Sequence, residues 1–359
     1  MVLVSSCISG NKVNVSLKEM QEIFHEVETL YKYGLVLVPG NDSLKLDCPF
    51  IFREDSTWYM TYIVFNGRGY ETWLTRSTDL LSWSDGCRIM SFSSDSLAWD
   101  ASQRAGYPAL GDVRWGGSYQ LGKYSGRYWM SYLGGRMNGY EEGPLSIGIA
   151  SSADDPSACR EWNRLDRPVL SSADADARWW EDLKLYKSTV ICDDGKITGH
   201  NFIMYYNAYG DSLTKGHSAE RIGMAVSDDM IRWKRFMAGP VLNHYRGITG
   251  DPQVTRIGNI WVMFYFGAFW NNDKSDGAFD RFACSYDLRN WTDWTGKNLV
   301  EPSESFDSRY AHKPFIVKWN GIVYHFYCAV NGKDQRGIAL ATSKDIGRSH
   351  LFFFSGRND

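Results

Sequence analysis

The chain has no run of apolar residues long enough to cross a bilayer as a helix, which takes about 20. It has almost no charge surplus, with 42 acidic against 39 basic residues and a net charge of −3. That excludes the basic footprint of a nucleic-acid or anionic-membrane binder. Proline is scarce, 10 in 359 residues, and no low-complexity stretch reads as a linker between domains. The 7 cysteines are odd in number, and none has the spacing of a zinc site. Cys284 and Cys328 fall in apolar runs and read as buried free thiols, which points to a reducing compartment. Met1 to Cys7 resembles a lipoprotein cleavage box but lacks a basic start. Without a signal peptide in this chain, the expected location is cytoplasmic or periplasmic.

Aromatic residues are plentiful, at 15% of the chain. Their main use is a repeat. Five strand-like runs carry aromatic residues and end in tyrosine: Trp58-Tyr59-Met60-Thr61-Tyr62, Tyr128-Trp129-Met130-Ser131-Tyr132, Phe202-Ile203-Met204-Tyr205-Tyr206, Trp261-Val262-Met263-Phe264-Tyr265 and Val323-Tyr324-His325-Phe326-Tyr327. The final tyrosines are about 60 to 74 residues apart. A Ser-x-Asp mark follows each run, at Ser77, Ser152, Ser227, Ser285 and Ser343. Two marks repeated in one order, at this period and in short strands, predict an all-β array: a five-bladed β-propeller with four strands per blade. The Ser-x-Asp aspartates read as turn residues whose side chains bond nearby amides.

Residues 16–33 predict a helix. Leu17, Met20, Phe24, Val27, Leu30 and Tyr31 form one apolar stripe, Ser16 and Glu19 a capping box, and Gly34 a stop. The domain reading is therefore an N-terminal segment, 1–43, and a propeller, 44–359. Residues 350–355 are expected to supply an outer closing strand.

In a propeller the first strand of each blade lines the central channel, so the strand starts converge at one mouth. Here those starts are acidic: Asp47, Asp112, Glu181 with Asp182, and Asp251, with His312-Lys313 in the last blade. Carboxylates crowded together repel, so one holds a proton near neutrality. A protonated acid beside an ionised one is what glycosidic cleavage uses. Aromatic and cationic residues at the same mouth, Tyr107, Trp115, Trp179, Trp180, Phe269, Trp270, Arg104 and Lys187, are candidates for holding substrate.

These features resemble the five-bladed propeller glycosidases, glycoside hydrolase family 43 and its relatives in families 32, 62, 68, 117 and 130, over residues 44–345. The resemblance implies that Asp47 is the catalytic base and that Asp182 or Glu181 tunes the acid. It also matches Asp112 to a blade-two acid and His312 to a channel histidine, often near a metal ion, here calcium. No other cofactor is implied. Blade four departs from the family pattern: Gly250-Asp251-Pro252 stands where the family has Glu-Gly-Pro. The general acid is then Glu181, Asp251 or His312, in that order of preference. The implied activity is hydrolysis of a glycoside, a furanoside by resemblance, in a polysaccharide fragment. A phosphorylase and a non-catalytic sugar-binding propeller are the alternatives.

Overall fold

The computed structural model describes residues 14–210, 219–244, 247–271, 274–275 and 277–354. It is nearly all-β with one short helix. The first antiparallel group runs β2 (Lys45–Glu54), β3 (Thr57–Phe65), β4 (Tyr70–Ser77) and β5 (Cys87–Met90). The second runs β6 (Gln103–Pro108), β7 (Tyr128–Gly135), β8 (Leu145–Ser152) and β9 (Asn163–Arg164). The third runs β10 (Lys184–Cys192), β11 (Phe202–Gly210), β12 (Ala219–Ser227) and β13 (Lys234–Arg235). The fourth comprises β14 (Gly247–Ile257), β15 (Ile260–Ala268), β18 (Phe279–Ser285) and β19 (Thr292–Asp293), with a small hairpin, β16 (Trp270–Asn271) and β17 (Lys274–Ser275), between β15 and β18. The last joins β20 (Tyr310–Trp319), β21 (Ile322–Val330) and β22 (Arg336–Thr342) to β1 (Tyr31–Leu37). Short parallel contacts link one group to the next, Tyr70 to Gln103 and Glu220 to Ile248.

Every aromatic run falls in the second strand of its group, and every Ser-x-Asp mark at the end of the third. The central residues Met60, Met130, Met204, Met263 and His325 are all fully buried. The marks build turns: Ser77 Oγ accepts from the Leu80 amide at 2.9 Å, and Asp79 Oδ1 accepts from Leu81 and Ser82, each at 2.8 Å. The tryptophans that follow the turns pack on a neighbouring group, Trp83 against Phe326 and Trp291 against Tyr205. Apolar clusters fill the space between groups.

The helix α1 (Leu17–Val27) is capped as the sequence predicts, with the Ser16–Glu19 box formed in both directions. Its face Met20, Ile23, Phe24 and Val27 packs on Phe282, Trp294 and Ile316. It stops earlier than the apolar stripe suggests. Residues 31–37 leave the helix because antiparallel pairing with β22, across two register shifts, bonds their backbone and buries Leu35 and Val36. This strand lies upstream of residue 44 yet is the outer strand of the last group. The closing strand expected from 350–355 is reduced to one bridge, Leu351 to Leu35, with residue 355 outside the described residues. Cys284 and Cys328 are buried free thiols, as the sequence suggests, whereas Cys87 and Cys159 form a disulfide across 72 residues. Cys48, Cys192, Cys284 and Cys328 are free. Cys7 lies outside the described residues. No helix among the described residues is long and apolar enough to cross a membrane.

Candidate active site

A cavity of about 240 Å³ opens where the first strands converge. A regular strand alternates its side chains between faces, so consecutive residues cannot both reach one cavity. Here the register slips in four first strands, between Asp47 and Phe50, Leu185 and Ser188, Gly250 and Gln253, and His312 and Phe315. Such bulges re-aim side chains. Cys48, Asp251 and Lys313 take the left-handed conformation there, with φ of 49°, 55° and 65°. As a result the neighbours Asp47 and Cys48, Tyr186 and Lys187, and His312 and Lys313 line the cavity in pairs. The starts of third strands add Tyr70, Glu220 and Arg336, and β11 adds Asn207. The loop after β7 adds Tyr140 and Glu141.

That loop is firmly held. Gln103 Nε2 donates to the carbonyls of Met137 (2.9 Å) and Gly139 (2.7 Å), and Lys184 Nζ donates to the Glu141 carbonyl at 2.6 Å. Arg336 Nη1 donates to the Tyr140 hydroxyl at 2.8 Å. Glu141 itself sits at φ 55°, a conformation costly for a residue with a side chain and common at functional sites.

The acids divide by their neighbours. Asp47 accepts from Lys313 Nζ at 2.6 Å and lies 3.8 Å from Arg336 Nη1. Burial pushes its pKa up, but Lys313 first, then His312 and Arg336, outweigh burial and hold it far below the usual carboxylate range. Asp251 accepts from Cys48 Sγ at 3.4 Å and lies 4.0 Å from Lys187 Nζ. The Lys187 ammonium has no hydrogen bond among the described residues and lies over the Tyr107 ring at 5.4 Å. Glu220 has no cation in contact among the described residues. Burial, then the charge of Glu141, pushes it up to about 8, against a 2.9 Å hydrogen bond from Asn207. Glu141 is also raised by burial, but Lys313 and the Tyr70 hydroxyl, donating at 3.0 Å, favour its ionised form.

His312 bonds the Cys328 carbonyl through Nδ1 at 3.1 Å and packs edge-on against Phe266. Burial, then the charge of Lys313, lowers its pKa to about 3. The Lys313 and Arg336 charges beside His312 oppose another cation, and among the described residues no group of three His, Cys, Asp or Glu side chains is placed to hold a metal ion.

Several expected residues stand elsewhere. Glu181 precedes β10 and is locked in the interior, ion-paired with Arg235 and accepting from the Tyr206 hydroxyl at 2.6 Å and the Arg178 amide at 2.9 Å. It does not line the cavity. Asp182 also precedes the strand and is outside the cavity wall. Asp112 sits in the long β6–β7 connection, bonded to Arg114 (2.8 Å) and Ser118 (2.7 Å), beside a separate hollow that includes Asp193 and Lys196. Arg104 points away from the cavity and pairs with Asp100 at 3.2 Å. Trp115 donates to Glu26 of the helix at 2.7 Å, and Trp180 stacks in the core on Tyr206. Trp270 lies in β16, but its side chain is outside what the structure describes. Of the expected residues, Asp47, Asp251, Tyr107, Lys187 and His312 meet at the cavity.

Glu141 and Glu220 escape the strand-start pattern because neither opens a group. Glu141 occupies a loop, Asn138-Gly139-Tyr140-Glu141-Glu142-Gly143, whose paired acids between glycines are its only signal. Glu220 begins a third strand. The expectation for the second group fails because its 109–127 connection is long, so counting back from the aromatic run lands in a loop rather than on β6.

No protein-family model matches the chain, and no curated protein sequence does. Solved structures do match. A thermostable family-43 glycoside hydrolase, 15% identical, aligns with a TM-score of 0.61 over 88% of this chain and 97% of its own. A structure from the GH130 family of mannoside phosphorylases that contains glycoside hydrolases aligns at 0.60 with 13% identity, over 88% of this chain and 93% of its own. These place the fold among the propeller glycosidases. Two further structures are far more similar. One described as a glycoside hydrolase is 46% identical, with a TM-score of 0.91 over 95% of this chain and 99% of its own. The other, BT0996 in a complex with RGII, is 48% identical, with the same TM-score and coverage. The chain belongs to the glycoside hydrolases.

Proposed function

We propose that the enzyme removes a terminal sugar unit from an oligosaccharide related to RGII, with Glu220 as general acid and Glu141 as its carboxylate partner. The carrying observation is the pair itself: Glu220, pushed up to about 8, shares one small cavity with Glu141. Glu220 is the group suited to protonate the leaving oxygen at neutral pH. Glu141, favoured as an anion by Tyr70 and Lys313, then attacks the sugar carbon or draws a proton from water. Asp47, the base by resemblance, is held by Lys313 and Arg336, and we assign it to fixing those cations and receiving sugar hydroxyls. Lys187 and Asp251 offer a donor and an acceptor side by side for two further hydroxyls.

The substrate reading rests on the similarity to BT0996, and the furanoside reading on the resemblance to family 43. We read the strand groups as five blades about one channel, with β1 closing the last. Hydrolysis is favoured over phosphorolysis by charge balance. Lys187, Lys313 and Arg336 are matched in the cavity by Asp47, Asp251 and Glu141, which leaves no surplus cation for phosphate among the described residues.

The test uses Glu220→Gln and Glu141→Gln on a natural oligosaccharide and on an activated aryl glycoside, with and without phosphate. Glu220→Gln should lose about 10²-fold or more on the oligosaccharide and far less on the aryl glycoside, which needs little protonation. Glu141→Gln should fail on both. Equal losses on the two substrates for Glu220→Gln would remove it as the acid.

A further inference from the structure

Resting on the reading of Glu220 as the acid, we infer that Asn207 is a positioning residue that fixes which oxygen of Glu220 carries the catalytic proton, and that Gly250 exists to make room for it. Asn207 is buried on β11, in the strand that pairs with Glu220's strand. Its Nδ2 donates to Glu220 Oε2 at 2.9 Å. An oxygen already receiving an N–H cannot also hold its proton toward that donor, because two hydrogens would meet. The proton therefore resides on Oε1. A carboxylic acid left to rotate would divide its proton between two oxygens and two directions; the amide removes that freedom.

The second observation is on the facing strand. At the register of Asp47 and His312, the fourth group has Gly250. A Cβ built there would stand 2.5 Å from Asn207 Nδ2 and 2.9 Å from its Cγ, well inside contact distance. The amide takes the space a side chain at Gly250 would need, whereas the first and last groups carry Asp47 and His312 at that register. The absence of a side chain at Gly250 and the presence of an amide at Asn207 are one feature, divided between two strands.

The remaining charged and titratable groups acting on Glu220 are Glu141 from its loop, Asp251 on β14, Lys313 on β20 and, in the same wall, Tyr186 on β10. None of these donates a hydrogen bond to Glu220 among the described residues.

The experiment compares Asn207→Ala, Asn207→Asp and Gly250→Ala. The readouts are kcat on oligosaccharide and aryl glycoside, the pH profile of kcat/KM, and thermal unfolding. Losing the donor lets Glu220 keep its proton to higher pH. The basic limb should move up by about half to one pH unit in Asn207→Ala, and further in Asn207→Asp, where a second carboxyl group faces Glu220. Turnover of the oligosaccharide should fall tenfold or more, with a smaller loss on the aryl glycoside. Gly250→Ala should reproduce the Asn207→Ala profile. If Asn207→Ala does not fold, the nearly isosteric Asn207→Asp carries the test. An unmoved basic limb in the folded variants, or equal losses on both substrates, overturns the inference. Failure of the acid reading itself is detected separately, by equal losses in Glu220→Gln.

Discussion

Two glutamates in this enzyme meet opposite partners: Glu181 is fully buried, and Glu220 is half-buried in the cavity wall. Glu181 touches the guanidinium of Arg235, and Asp174 and Asp176 share the same arginine at 3.0 and 2.7 Å. Glu220 touches an amide and faces another carboxylate. Burial opposes the charged form of Glu220, but burial alone does not make an acid catalyst. The contact partner decides. With a cation in contact the carboxylate is structural; with none among the described residues, and beside a like charge, it is pushed up to about 8.

The comparison breaks first at Arg235. Arg235→Ala should cost about 3–5 kcal/mol in urea unfolding, since it leaves Glu181 charged and uncompensated in the interior. If stability is unchanged while turnover collapses, the Glu181 corner is catalytic and the contrast is false. Next, the same substitution should change stability with opposite signs at the two sites. Glu220 has its folded pKa raised from the ordinary 4.5 to about 8. The unfolded chain therefore gives up that proton first, and the group's contribution, complete below about pH 4.5, is lost as pH rises toward 8. Glu220→Gln removes the penalty and should stabilise the protein at pH 7 by about 1–3 kcal/mol, whereas Glu181→Gln should destabilise it. A destabilised Glu220→Gln would show that Glu220 is already ionised in the fold. The smallest effect concerns the pair. In Glu141→Gln a neighbouring negative charge is gone, so the Glu220 titration, followed by carbon NMR of labelled glutamate, should move down by about one unit. No movement would separate the two carboxyls.

The repeat is legible because it is local. Methionine or histidine at the centre of each aromatic run, and serine two residues before each turn aspartate, are chemical requirements of a buried second strand and a tight turn. Both reappear in every group. The acid-rich strand starts follow the right logic but take the wrong register in two groups. Asp47, Asp251 and His312 stand ten or eleven residues before their aromatic runs across short hairpins, and they reach the cavity. In groups two and three the hairpins are lengthened, so Asp112 and Glu181 pass for strand starts while Tyr107, Tyr186 and Lys187 hold those places. The helix stripe continues past Val27 because the periodicity of Leu30 and Tyr31 fits a helix as well as the approach to a strand.

The sequence by itself determined the all-β array, the turns and the capped helix, because each depends on residues near one another in the chain. The tertiary structure alone decided which acids are chemical. Glu141 and Glu220 are 79 residues apart and in different groups, and the pKa that matters arises only when burial joins them while Lys313 and Arg336 lie against Asp47. Likewise Arg235 claims Glu181 from 54 residues away, a pairing no local pattern encodes.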